Sequence, residues 1–369
     1  YIVPTPLYYR LHKEESFFES ANRLPSVFKV QDPDLSSAPI LGLNPLLECA
    51  THAGKIAIAT NHQLDFVVDL VEHPSKYKGL LREVWTEYPE LRASVEYFRS
   101  LMDPSSSGLR EKKTGSFKTK LLPFVADPAR MATYAAKHNR LNWLKLIKRN
   151  KVVVLDYREQ LDADHLQFDM HWHLKTLMDA IKHRGMAGRG HEFMLIIDEV
   201  TALLSHRTHT GHAFLAEMLE ELVTRLARNY GVNVVIAHQS LFQMDERIQN
   251  ILMGMGNQII GQLSNPDDAV RVARQFMRYD PHKVKKTENV WATIHPPAIV
   301  SYFGGPAFPY PHVIDERTVE YTPDEQILHW VNKILDLDRF QFVMQLATGE
   351  GGKKGPVKKI TIANLDKDQ

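Results

Sequence analysis

The stretch Phe193-Met194-Leu195-Ile196-Ile197-Asp198-Glu199-Val200 decides how this chain reads, because a short, continuous apolar run ends there in two adjacent carboxylates. Runs of this kind mark strands covered on both faces of a parallel sheet. At the carboxyl end of such a strand, the first carboxylate can hold the water shell of a Mg²⁺ ion. The next can orient or deprotonate a water for attack on a phosphate. A buried strand that simply ends in an acidic turn has the same letters, so the flanking sequence has to decide.

A second run, Val232-Asn233-Val234-Val235-Ile236-Ala237, follows at the distance of one intervening helix and leads into His238-Gln239-Ser240. An amide at the tip of a neighbouring strand can sense a γ-phosphate or the attacking water by hydrogen bonding, which makes Gln239 a candidate for that role. Val152-Val153-Val154-Leu155 and Gln258-Ile259-Ile260 read as further strands. Phe214 to Asn229 carries one apolar stripe of helical period, through Phe214, Leu215, Met218, Leu219, Leu222, Val223 and Leu226. The grammar over 150–315 predicts the α/β class, with a mainly parallel sheet and helices on both faces.

Residues 48–149 read instead as a mainly helical subdomain, with apolar residues three and four apart (Phe66, Val67, Leu70, Val71; Leu141, Leu144, Ile147) and a polar break from Asp103 to Gly108. In the first 47 residues, Val27 to Val30 reads as a short strand closed by the turn Gln31-Asp32-Pro33-Asp34. Near the end, 316–348 reads as a helical segment. Its helix starts at Thr322 as N-cap with Pro323 in the first position, and runs to Leu337. Gly349 to Pro356 reads as a linker that opens a flexible basic tail over 349–369.

With 369 residues, Lys+Arg 45 and Asp+Glu 44, the net charge is +1, and the whole-molecule field is too weak to argue for or against a nucleic-acid partner. The one cysteine, Cys49, excludes an intramolecular disulfide and a cysteine-based zinc site. No window reaches the eighteen or so apolar residues of a membrane helix, and Tyr1 to Pro6 lacks the zones of a signal peptide. His171, His173, His206, His209 and His212 cluster in short windows, but no carboxylate or cysteine completes a metal site of known geometry.

Taken in order, several segments carry a resemblance. They are Gln31 to Asp34 leading to Gly42-Leu43-Asn44-Pro45-Leu46; Leu121-Leu122-Pro123-Phe124 with Asp127-Pro128; Leu144 to Leu155; the Walker B pattern at 193–200; Ala237-His238-Gln239-Ser240; and Asn257 to Ala269. Over about residues 25–310 the chain resembles the motor domain of type IV secretion coupling proteins of the TraG/TraD kind, within the FtsK/HerA-like branch of RecA-type ATPases.

The resemblance implies a RecA-like core formed by 1–47 and 150–315, with 48–149 inserted, and ATP and Mg²⁺ as cofactors. It gives Asp198 the Mg²⁺ water shell, Glu199 the attacking water, and Gln239 the coupling of hydrolysis to movement. Arg225 or Arg228 would reach the neighbouring subunit's γ-phosphate, and Arg207, Lys112 and Lys113 would touch DNA. The implied assembly is a hexameric ring on DNA, in contact with relaxosome or secretion-channel proteins. Its location is cytoplasmic, with any membrane tether upstream of Tyr1.

One element of that family is missing: the phosphate-cradling loop GxxxxGK[ST] appears nowhere in the chain, and Thr114 to Lys120 lacks its spacing. The chain begins at Tyr1 and not at methionine, which reads as one piece of a longer polypeptide, and family order places the loop upstream of Tyr1. Two functions therefore stand side by side. One is an ATP-driven DNA translocase of conjugative transfer or a related packaging process. The other is a non-catalytic RecA-like assembly or DNA-recognition module that has lost its nucleotide loop.

Overall fold

The computed structural model describes residues 5–31, 35, 44–103, 107–157, 163–185, 192–203, 217–294, 310–348 and 353–362. It is a mixed α/β chain, 56% helical, with small sheets. Its contacts divide it into two compact units, one of Tyr1–Gln239 with Met244–Ile251 and the other of Ser240–Gln243 with Leu252–Gln369. Among the described residues, no helix is long and apolar enough to cross a membrane.

The first unit opens with α1 (Phe17–Ala21), α2 (Arg23–Gln31), α3 (Pro45–Ala59), α4 (Leu64–Glu72), α5 (Lys78–Glu87), α6 (Arg92–Ser100), α7 (Ser107–Ala126), α8 (Pro128–Tyr134), α9 (Trp143–Lys148) and α10 (Ala163–Arg184). At its centre lies α3, where Leu47, Cys49, Ala50, Ala53, Ile56 and Ala57 are fully buried. It starts where the sequence breaks the preceding backbone: the Asn44 side chain accepts from the Leu46 and Leu47 N–H groups at 3.0 and 3.3 Å, and Pro45 sits where no N–H is needed. At Gly54 a Cβ would stand 3.1 Å from both Ala21 and the Tyr8 ring, so a hydrogen there lets α1 and the N-terminal segment close on α3. Asn44→Ala is expected to lower stability by about 1 kcal/mol, read as a shifted denaturant midpoint at unchanged slope.

Aromatic rings fill the space between α2, α7, α8 and α10. Phe124 meets Phe168 edge-on at 4.6 Å between centroids and Tyr134 at 5.4 Å, and Phe168 lies parallel to Trp172. Arg130 is buried over the Phe124 and Tyr134 rings and pairs with Asp169 at 2.7 Å, and a second buried arginine stands on α2. Arg23, 1% exposed, pairs with Glu15, reaches Asp179 of α10 at 3.2 Å and donates to the Tyr9 carbonyl at 2.9 Å.

Two histidines, buried His52 and half-buried His173, make the unit sensitive to acid. His52 shares a hydrogen bond with Ser94 Oγ at 2.9 Å and lies against the Tyr97 ring; burial first, then Lys55 and Lys113, lower its pKa to about 4. His173 shares one with the Tyr157 hydroxyl at 2.6 Å, and burial lowers it to about 4 against the opposing pull of Asp169. Between about pH 6.5 and pH 4 the unfolded chain takes up these protons and the folded chain does not. Stability is therefore expected to fall as pH drops through that window. His52→Gln should flatten the profile of thermal midpoint against pH, and an unchanged profile would clear His52 of the role.

After α10 come β1 (Phe193–Ile197), a π-helical turn at Glu221–Leu226 that runs into α11 (Ala227–Tyr230), and β2 (Val232–Ile236). β1 and β2 pair in parallel, Phe193 opposite Val232 through Ile197 opposite Ile236. One face of the pair packs on a second core that includes Trp143, Leu177, Ile181, Leu222 and Leu226. On the other face Met194, Ile196 and Val235 are 61%, 63% and 43% exposed.

The chain continues through α12 (Glu246–Met253), β3 (Gln258–Ile260), α13 (Pro266–Phe276), β4 (Val284–Ile294), β5 (Tyr310–Glu320), α14 (Pro323–Leu335), β6 (Gln341–Gln345), β7 (Ala347–Thr348), β8 (Lys353–Lys354) and β9 (Lys358–Thr361). In the second unit β3, β6 and β9 form an antiparallel sheet, β4 pairs antiparallel with β5, and β7 with β8.

Several expectations need correction. The mainly parallel sheet with helices on both faces is not present among the described residues: β1 and β2 form the parallel pair, helices cover one face of it, and β3 belongs to an antiparallel sheet. Val152 to Leu155 pairs with no strand among the described residues, and Val152 and Val154 are 92% and 81% exposed, because a β-branched run alone does not make a strand without a neighbouring ladder. Val27 to Val30 lies within α2, since Leu24, Val27 and Phe28 stand three and four apart and all face the core. Part of the expected flexible tail forms β8 and β9, with Ile360 opposite Phe342 of β6.

Candidate functional site

β1 leaves its carboxyl end at Ile197, and the parallel register runs on past both strands: Ala237 N–H donates to the Ile197 carbonyl at 2.9 Å, and Val200 N–H to the Ala237 carbonyl at 3.0 Å. These bonds hold Asp198-Glu199 beside Ala237-His238 at one end of the sheet, with Gln239 next along the chain. Val200 is fully buried and pins the far side of the turn. The acid pair thus stands on a backbone tied at both ends.

Within that turn Glu199 has φ +52°, in the left-handed region that side chains other than glycine seldom enter. The conformation sends the two carboxylates into different surroundings, Asp198 exposed to solvent and Glu199 half-buried. The Thr201 hydroxyl donates to Glu199 Oε1 and fixes the carboxylate's orientation. Thr201 had no place in the sequence reading, although a hydroxyl two residues after a carboxylate is a local signal of this arrangement. Gln239 is exposed.

Asp198 fits the outer coordination of Mg²⁺, which keeps several of its waters and takes one or two carboxylates. Among the described residues, no group of three or more histidines, cysteines or carboxylates is arranged to hold a metal by itself. The phosphates of a nucleotide have no GxxxxGK[ST] loop in this chain to receive them.

The structure brings Asp198, Glu199 and Gln239 to one end of the β1–β2 pair and places the other candidates on other elements. Arg225 lies in the π-helical turn before β2, with its side chain 69% exposed and 3.8 Å from Glu221 Oε1. Arg228 follows on α11, and its side chain is outside the described part, as is Arg207 altogether. On α7, Lys112 is exposed, while Lys113 Nζ lies 5.3 Å over the Tyr97 ring. A cavity of about 320 Å³ lies against Lys182, Glu221, Arg225 and Tyr230. Another of about 440 Å³ is lined by Glu15, Asn22, Lys175, Asp179 and His183. Neither cavity is lined by the acid pair, which follows the carboxyl end of β1.

No protein-family model, curated protein or solved structure matches this chain.

Proposed function

We propose that this chain is the motor portion of an ATP-driven DNA translocase, of the kind that moves DNA in conjugative transfer or a related packaging process, with a RecA-like core that works as a hexameric ring. The observation that carries the reading is the Asp198-Glu199 pair at the carboxyl end of β1, hydrogen-bonded in parallel to the strand that leads to Gln239. ATP would supply the reactive γ-phosphate and Mg²⁺ would neutralise its charge. Asp198 would hold the ion through water, Glu199 would take a proton from the water that attacks the γ-phosphorus as its bond to ADP breaks, and Gln239 would contact the inorganic phosphate released.

The test is Mg²⁺-ATP hydrolysis with and without single- and double-stranded DNA, on this chain and on a form extended upstream of Tyr1. DNA-stimulated turnover supports the motor. One observation favours the second reading, a non-catalytic assembly or DNA-recognition module: the chain contains no glycine-rich phosphate loop. Absence of nucleotide binding in both forms would establish that reading.

A further inference from the structure

β4 and β5 form an arm of two eleven-residue strands, and among the described residues each pairs only with the other. Almost every described side chain on the arm is exposed, including Val284, Trp291 and Ile314 at 50%, 61% and 57%. A two-stranded ribbon is marginal by itself in water, and among the described residues no further strand lies on either outer edge, where an added strand could complete the ladder. Between bulges near Lys285 and Ile314 the ladder is regular, Lys286 opposite Val319 through Val290 opposite Asp315.

The two strands differ in charge. β4 carries Lys285 and Lys286 against Glu288, with Lys283 just before it. β5 carries Asp315, Glu316 and Glu320 against Arg317. The lysines do have partners, Glu325 for Lys285 and Glu288 for Lys286, but both pairs are at the surface, where such contacts are weak and exchange readily.

We propose that the β4 edge of one copy of this chain pairs with the β5 edge of a second copy, head to tail, so that arms add to one another through their opposite charges. A symmetric β5 to β5 contact would set Asp315 and Glu316 against like charges, and a β4 to β4 contact would crowd the lysines. The acids of β5 also disfavour the phosphate backbone of a nucleic acid as occupant. A head-to-tail contact leaves one edge open at each end, so the assembly closes into a ring or continues to grow. The inference does not depend on nucleotide binding and stands or falls separately from the motor reading.

The test is sedimentation velocity on the whole chain and on two charge-reversed variants, K283E/K285E/K286E and D315K/E316K/E320K, each checked for native circular dichroism. The wild type should associate, and more weakly as salt rises, because the contacts are exposed to screening. Each variant alone has two edges of one sign and should associate at least about tenfold more weakly. An equimolar mixture should recover the wild-type assembly, since every edge again meets its opposite. A monomeric wild type would overturn the proposal, as would variants that associate like the wild type or folded variants whose mixture stays dissociated. If either variant does not fold, the salt series decides, and a wild-type assembly that added salt leaves unchanged overturns it.

Discussion

If the chain is the motor proposed above, replacing Glu199 with glutamine is expected to stop Mg²⁺-ATP turnover while nucleotide stays bound. Glutamine keeps the shape of the side chain and an oxygen that can accept the Thr201 hydroxyl, so the turn after β1 has no reason to rearrange. What it lacks is the capacity to take a proton from water. Positioned general bases contribute about 10²–10⁴ in rate, so turnover should fall by at least about 100-fold with little change in affinity. Asp198→Asn should act differently, weakening the dependence on Mg²⁺ more than it slows the bound complex. Wild-type hydrolysis by the Glu199→Gln chain, with fluorescent nucleotide binding intact, would remove Glu199 from the site.

The largest loss of stability is expected from Arg23→Ala. Arg23 is 1% exposed, and its removal leaves the Glu15 carboxylate, 8% exposed, without its cation. Breaking a buried pair from one side costs about 3–5 kcal/mol, mostly the penalty of the stranded charge. Asp179 suffers less, because Lys175 holds it at 2.6 Å. Adding Glu15→Gln to the Arg23→Ala chain should recover part of the loss, since a neutral amide can still accept the Leu11 N–H that Glu15 now accepts at 2.6 Å. Urea midpoints for the two variants measure both effects. A cost below about 1 kcal/mol for Arg23→Ala would show that the site refills with water.

What could be read from the sequence was local. The start of α14 is an example: Thr322 caps the helix and Pro323 takes its first position as the sequence reads, and Glu325, which that reading left out, completes a capping box. β1 and β2 were legible for the same reason, as continuous apolar runs. Their order, and the meeting of Asp198-Glu199 with the strand of Gln239, followed from one crossover helix. The Arg23 network was not legible, because Arg23 and Asp179 are 156 residues apart and no periodicity links them. The arm of β4 and β5 also escaped, since strands that expose both faces lack the alternation that betrays a half-buried strand. Val27 to Val30 misled because four residues cannot separate a strand from one turn of α2. The six-residue window from Leu24 would have.

Cys49 gives the chain a chemical property that its other side chains lack. It is fully buried on α3, and burial raises its thiol to about 12, so the folded protein presents no nucleophilic sulfur to an alkylating reagent. Labelling of this single thiol is therefore a clock for opening of the helical unit, counted one event per molecule. It also means that a cysteine introduced on the arm would be the only one to take a dye or a spin label in the native protein. Distances between copies could then be measured with no wild-type residue removed.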